Sequence, residues 1–243
     1  MATKLSGQAQ VNSAPLFGSG GSTVQEHDLG ARIESSDGRV FRYVRATPNA
    51  VAAGYLLQGT PEQTNHQART VGTAAAVGAT VVEFAVGATA AGANKYAGGY
   101  LVITGTPGTG YTYKIKGHGP INSSGAAIIN LEDPIEVALT TSSTVDLVAN
   151  PFAECGLSPV TATGPIVGVS NDALTAGRYG WVQSGGAVGV RAQGALVVGA
   201  SLIASDAGVG SVQMFKTGSE AVIGYAVTGV ATGETGAVHL TID

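Results

Sequence analysis

Residues 179–243 carry the feature that most limits what this chain can fold into. Apolar runs a few residues long are broken again and again by clusters of Gly, Ser, Asp and Thr. Val238, Leu240 and Ile242 fall on one face of a period-two strand, with His239 and Thr241 on the other. Val222, Gly224 and Ala226 oppose Ile223, Tyr225 and Val227 in the same manner. No helical period of comparable length competes. Short antiparallel strands closing into a barrel or sandwich are therefore expected, and this segment alone should close a core.

The same grammar runs upstream. Residues 31–34 and 39–45 flank Ser35-Ser36-Asp37-Gly38, a hairpin in which Asp-Gly supplies the positive φ of a tight turn. Phe41, Tyr43 and Arg45 share one face of its second arm, and Val40, Arg42 and Val44 the other. Arg39, Arg42 and Arg45 are thus split between faces, and a solvated edge strand is expected rather than an anion site. Residues 50–58 read as a turn then a strand, and 60–69 as a polar, Pro-containing loop. The Ala-rich stretch 73–79 has helical propensity, but β-branched 80–86 favours a strand. Strands are expected at 100–104 and 111–116 around the GTPGTG loop, then at 126–131, 135–139 and 144–148. Asn150-Pro151, Pro159 and Pro165 mark a boundary. The expected fold class is all-β: small antiparallel β-barrel or sandwich modules with a flexible N-terminal arm. The arm is residues 1–28, the N-terminal β domain 29–150 and the C-terminal barrel-like domain 165–243.

Residues 1–28 show neither period and are rich in Ser, Gly and Gln. They read as a frayed terminus or as an arm that orders on a neighbouring subunit, with Leu16 and Phe17 as its anchor. Deleting residues 2–24 is then expected to leave the β domains folded and to weaken partner binding.

Function classes are narrowed by what the residues do not combine into. The net charge of −4 and scattered Lys and Arg speak against nucleic-acid binding. No apolar run is long enough to span a membrane or serve as a signal peptide, so neither is expected. One cysteine, Cys155, precludes an internal disulfide and reads as a buried, idle thiol. GTPGTG lacks the Lys-Ser/Thr and helix of a phosphate loop, being followed by Tyr111-Thr112-Tyr113. His27, His66, His118 and His239 are far apart in sequence and form no zinc motif. Glu132, Asp133 and Glu136 read as solvated acids at a strand entry rather than a catalytic pair. The tyrosines at 96, 100, 111 and 113 read as core or interface packing, since aromatics are only 6% of the chain. No catalytic residue, cofactor or metal site is expected. The 37 glycines weaken strand interiors, which suggests that assembly adds to stability.

The run AGRYGWVQSGG (176–186), then GASLIASDAGVGSVQ, AVIGYAVTG and AVHLTID, resembles virion structural proteins of tailed bacteriophages, in particular capsid decoration or cement proteins. AGGYLVITGTPGTGYTYKIKGHGPI and DPIEVALTTSSTVDLVANPF occur upstream in the same order as in such proteins, so the resemblance covers 95–243. It implies a non-enzymatic protein, made in the host cytoplasm, on the outer surface of an icosahedral capsid. The implied partner is the major capsid protein, bound by a homotrimer. No catalytic or interface residue is carried over. A tail or head-fibre receptor-binding protein, marked by clustered exposed aromatics or a repeat stalk, and an autoproteolytic β domain are the alternatives.

Overall fold

A computed structural model of the chain describes residues 9–11, 18, 20–218 and 220–243, with side chains from residue 18 onward. Leu16 and Phe17 lie outside the described residues. The fold is all-β; among the described residues the only helical element is a single 3-10 turn, Thr64–His66. The chain divides into two compact units, one of residues 1–61 with 151–243, the other of residues 62–150.

The first unit opens with β1 (Ala9–Val11), β2 (Arg32–Ser35), β3 (Val40–Arg45) and β4 (Leu56–Gln58). The second unit follows: β5 (Arg69–Thr73), β6 (Val81–Ala85), β7 (Tyr100–Ile103), β8 (Thr112–His118), β9 (Ala126–Leu131) and β10 (Thr144–Val148). The first unit then resumes with β11 (Gly156–Leu157), β12 (Ile166–Val169), β13 (Tyr179–Arg191), β14 (Ser201–Ala204), β15 (Val212–Met214), β16 (Gly224–Ala226) and β17 (Thr235–Thr241).

The inserted unit is a closed six-stranded barrel in the order β10-β5-β6-β9-β8-β7. Alternation explains its closure: Val82 and Phe84 of β6, Ala127 and Ile129 of β9, and Leu101 and Ile103 of β7 all point to one buried core. Its first and last strands are neighbours, with Val145 opposite Arg69. Gln67 Nε2 donates to Leu147 O at 2.9 Å and Ala68 N–H to Asp146 Oδ1 at 2.6 Å, so the points where the chain enters and leaves lie together. A unit whose ends meet can be inserted into another fold at little cost.

The expected domain of residues 29–150 is therefore divided. β2 and β3 leave the barrel and join the C-terminal strands in one sheet, whose main path is β1-β2-β3-β13-β17-β16-β14-β15. β13 organises it. Its first half pairs with β3, from Tyr179 opposite Arg45 to Gly185 opposite Val40, and its second half pairs with β17 through Arg191 opposite Thr235. The changeover coincides with a register shift between Gln183 and Gly185. Among the described strands, β1 pairs with β2 in parallel and the other strand pairs are antiparallel.

Three further expectations change. β3 sits between β2 and β13 rather than at an edge, and Val40, Phe41, Tyr43 and Val44 are all buried, because a sheet strand covered on both faces cannot keep one face wet. Residues 135–139 form no strand; Ile135 and Leu139 instead drop into the barrel core as anchors of an irregular segment. Within the stretch expected to be a flexible arm, Ala9–Val11 pairs with β2, Gly20 bridges to Leu174, and Ser22 exchanges both backbone hydrogen bonds with Tyr179. Gly21 makes this approach possible. Its φ is +71°, and a Cβ there would lie 2.5 Å from Tyr179 O.

Candidate functional site

The barrel brings two of the four histidines together around Tyr96. Tyr96 N–H donates to His118 Nε2 at 3.1 Å, which leaves His118 Nδ1–H to donate to Gly119 O at 2.6 Å. His66 Nε2–H donates to Thr89 O at 2.8 Å, and its Nδ1 accepts from the Tyr96 hydroxyl. The His118 ring is therefore neutral; every nitrogen of both rings is used, and both are buried. Such a chain holds a loop in place; it has no open face for a substrate or a metal.

This arrangement makes the barrel acid-sensitive. Burial pushes the His118 pKa below its ordinary 6.5. The folded barrel thus binds this proton less readily than the unfolded chain. Its stabilising contribution is complete above about pH 6.5 and is lost as pH falls below that value toward the folded pKa. Melting the protein between pH 8 and 5 should show the barrel transition moving down across this window. His118→Gln should flatten that slope, and an unchanged slope in the variant would place the acid sensitivity elsewhere.

Of the other singled-out residues, Tyr111, Tyr113, Asp133 and Glu136 meet along one open cleft of the barrel, where Glu136 N–H donates to the Tyr113 hydroxyl at 3.1 Å. Cys155 is fully buried, and burial raises its thiol pKa far above the ordinary value, which keeps it protonated and unreactive. Glu132, Asp133 and Glu136 are exposed; Glu132 lies 3.6 Å from Lys114 Nζ. Tyr96 and Tyr113 are buried in the barrel core, whereas Tyr100 and Tyr111 are exposed. His239 projects half-exposed from β17 and stacks on Tyr225, with ring centroids 4.9 Å apart. The arginines of the first hairpin are spent on local partners. Arg39 Nε pairs with Asp37 Oδ2 at 2.7 Å, and hydrogen bonds from Ser35 and Arg39 hold the Asp37 carboxyl down at about 2. Arg42 makes a two-point pair with Asp243, 2.5 Å at each oxygen. Ser184 Oγ adds a 2.7 Å hydrogen bond to Asp243 Oδ2, and with Arg42 it lowers that carboxyl's pKa.

The larger sheet builds an aromatic cleft that joins rings to acids with no cationic partner among the described residues. Tyr179 and Trp181 stand two apart on β13 and so share a face. Tyr43 of β3 sits opposite Trp181 in the register and packs edge-on against it at 5.0 Å. It also lies parallel to Tyr179 at 6.2 Å. His27 closes the group, 5.1 Å from Tyr43 and 5.3 Å from Trp181. The strap at residues 20–26 forms the opposite wall. Ser22 Oγ donates to Glu26 Oε1 at 3.3 Å, and Glu26 N–H donates to the Tyr43 hydroxyl at 3.1 Å. Burial, with the Glu26 charge adding to it, raises the Tyr43 pKa and keeps the phenol neutral. The open cleft has a volume of about 320 Å³, and among the described residues Glu26 and Asp172 are the charged ones that line it.

These residues come from positions 18–43 and 172–181, and they meet through the pairing of β3 with β13 and of Ser22 with Tyr179. The one local signal was Tyr179-Gly180-Trp181 within an alternating strand. The rings of this cluster are buried or half-buried, so it is not the group of exposed aromatics expected of a receptor-binding protein. No group of three or more metal-ligating side chains converges among the described residues. The chain matches no family model, no curated protein and no solved structure.

Proposed function

We propose that this is a non-enzymatic virion structural protein that binds the outer surface of an assembled major capsid protein lattice, as a homotrimer, and stabilises the capsid. The reading rests on the resemblance of residues 95–243 to phage capsid decoration proteins. The observation that carries it is an apolar surface on the larger unit. Val197, Val198, Tyr225 and Val227 are 61%, 66%, 44% and 45% exposed. The two segments that carry them meet where Gly199 N–H donates to Ala226 O at 2.8 Å. A cluster of large apolar side chains left in water marks a surface that another protein covers. Binding only the assembled lattice stabilises that state by mass action, which requires no chemistry at the interface.

Cryo-electron microscopy of virions carrying the chain tests this. Density for its two β units on the shell, in three-fold groups with Val198 and Val227 against a capsid subunit, is the expected result. Density confined to the tail or to head fibres would overturn it.

A further inference from the structure

We infer that the cleft between the residue 20–26 strap and the Tyr179–Trp181 face of β13 is a binding site for an alkylammonium group. The inference does not depend on where in a virion the protein sits. Three observations lead to it. The first is charge: among the described residues Glu26 and Asp172 line the cleft, and no basic residue does. Among the described residues neither carboxylate is paired with a cation. Glu26 receives only the Ser22 hydroxyl, and Asp172 Oδ1 only the Ala173 N–H at 2.8 Å. The second is the wall opposite, to which Trp181, Tyr179 and Tyr43 contribute their rings. Ring faces of this kind attract cations, Trp most strongly. Tyr179 already behaves so, with the Arg45 guanidinium carbon 5.7 Å from its ring centre, although Arg45 lies outside the cleft. The third is size, since about 320 Å³ holds a small organic cation but no folded element.

A neutral sugar would stack on the same rings, but it would leave two carboxylates without a counter-charge. An alkylammonium satisfies rings and carboxylates together. It can arrive as the head of a free quaternary amine or as the side chain of a lysine on a partner protein.

Trp181 is the only tryptophan in the chain, so its fluorescence reports on this site directly. The full-length protein is titrated with choline, with its uncharged carbon isostere 3,3-dimethylbutan-1-ol, with N-acetyl-lysine amide and with glucose. Saturable change with choline or the lysine derivative, at least about tenfold tighter than with the uncharged isostere, is expected. Preference for the lysine derivative identifies a protein side chain as the source, and preference for choline a free quaternary amine. Asp172→Asn and Glu26→Gln should each weaken binding about five- to tenfold, with circular dichroism unchanged. Equal binding of the isostere or of glucose would make this a neutral-ligand site and overturn the inference. So would the absence of any saturable response. Loss of binding only in variants whose circular dichroism also changes would count against it as well.

Discussion

Replacing Phe84 with alanine is expected to destabilise the barrel by about 3–5 kcal/mol while leaving the Trp181 sheet unaffected. Phe84 is almost fully buried in the middle of β6, opposite Ala127 on β9 and Val71 on β5. Truncation removes a ring from a closed barrel whose walls are tied by backbone ladders, so the cavity cannot collapse easily. Domains of this kind are stable by about 5–15 kcal/mol in all, so the loss is a large share of the total. The selectivity follows from the cores. Every residue of the barrel core lies between positions 71 and 149, and the cores of the larger unit draw only on residues outside 62–150. Amide exchange should therefore accelerate across β5 to β10, while Trp181 emission unfolds at its wild-type midpoint. A parallel shift of the Trp181 transition would show that the two units melt as one and would refute the separation.

What the sequence made legible was local. Strand positions at 126–131 and 144–148 agree with the structure to the residue, because alternation and turn residues act over a few positions. The Asp37-Gly38 turn is where the positive φ was needed, with Gly38 at +82°. Long-range pairing was not legible. The break at Asn150-Pro151 is one end of the insertion, but its other end, beside Pro61, looked like any polar loop. Nothing in residues 32–45 announces a partner beyond position 178, because period two states which face is buried and not which strand lies alongside. The misplaced strand at 135–139 has the same origin. Ile135 and Leu139 are buried as expected, but as two separate plugs, and burial of alternate residues does not by itself require a ladder. The cleft was hidden for a related reason: its rings are few, and only β3–β13 pairing concentrates them.

Gln183 is where that pairing is most exposed to a single substitution. It is completely buried at the register shift where β13 exchanges β3 for β17. Its side-chain amide donates to Gly185 O and Ala187 O, each at 2.9 Å, and its oxygen accepts from Asn171 Nδ2 at 2.7 Å. β3 pairs with no β13 residue beyond Gly185, so the amide serves a stretch of backbone that its neighbour has left. Gln183→Ala should cost the larger unit about 2–4 kcal/mol, since a buried carbonyl and the Asn171 amide lose their partners and a cavity opens. Gln183→Glu keeps the shape but turns carboxylate oxygens toward carbonyl oxygens. Ionised, it should be at least as damaging as alanine; protonated, its O–H can donate to one carbonyl again. Burial raises the folded pKa of this glutamate above the unfolded value of about 4.3. The rescue is thus complete below about pH 4.3 and disappears as pH rises through the folded pKa. Urea denaturation followed by Trp181 fluorescence, at pH 4 and pH 7.5 and referred to wild type at each, measures both effects. If the deficit of Gln183→Glu is the same at the two pH values, or if Gln183→Ala unfolds at the wild-type midpoint, the amide does not hold the changeover.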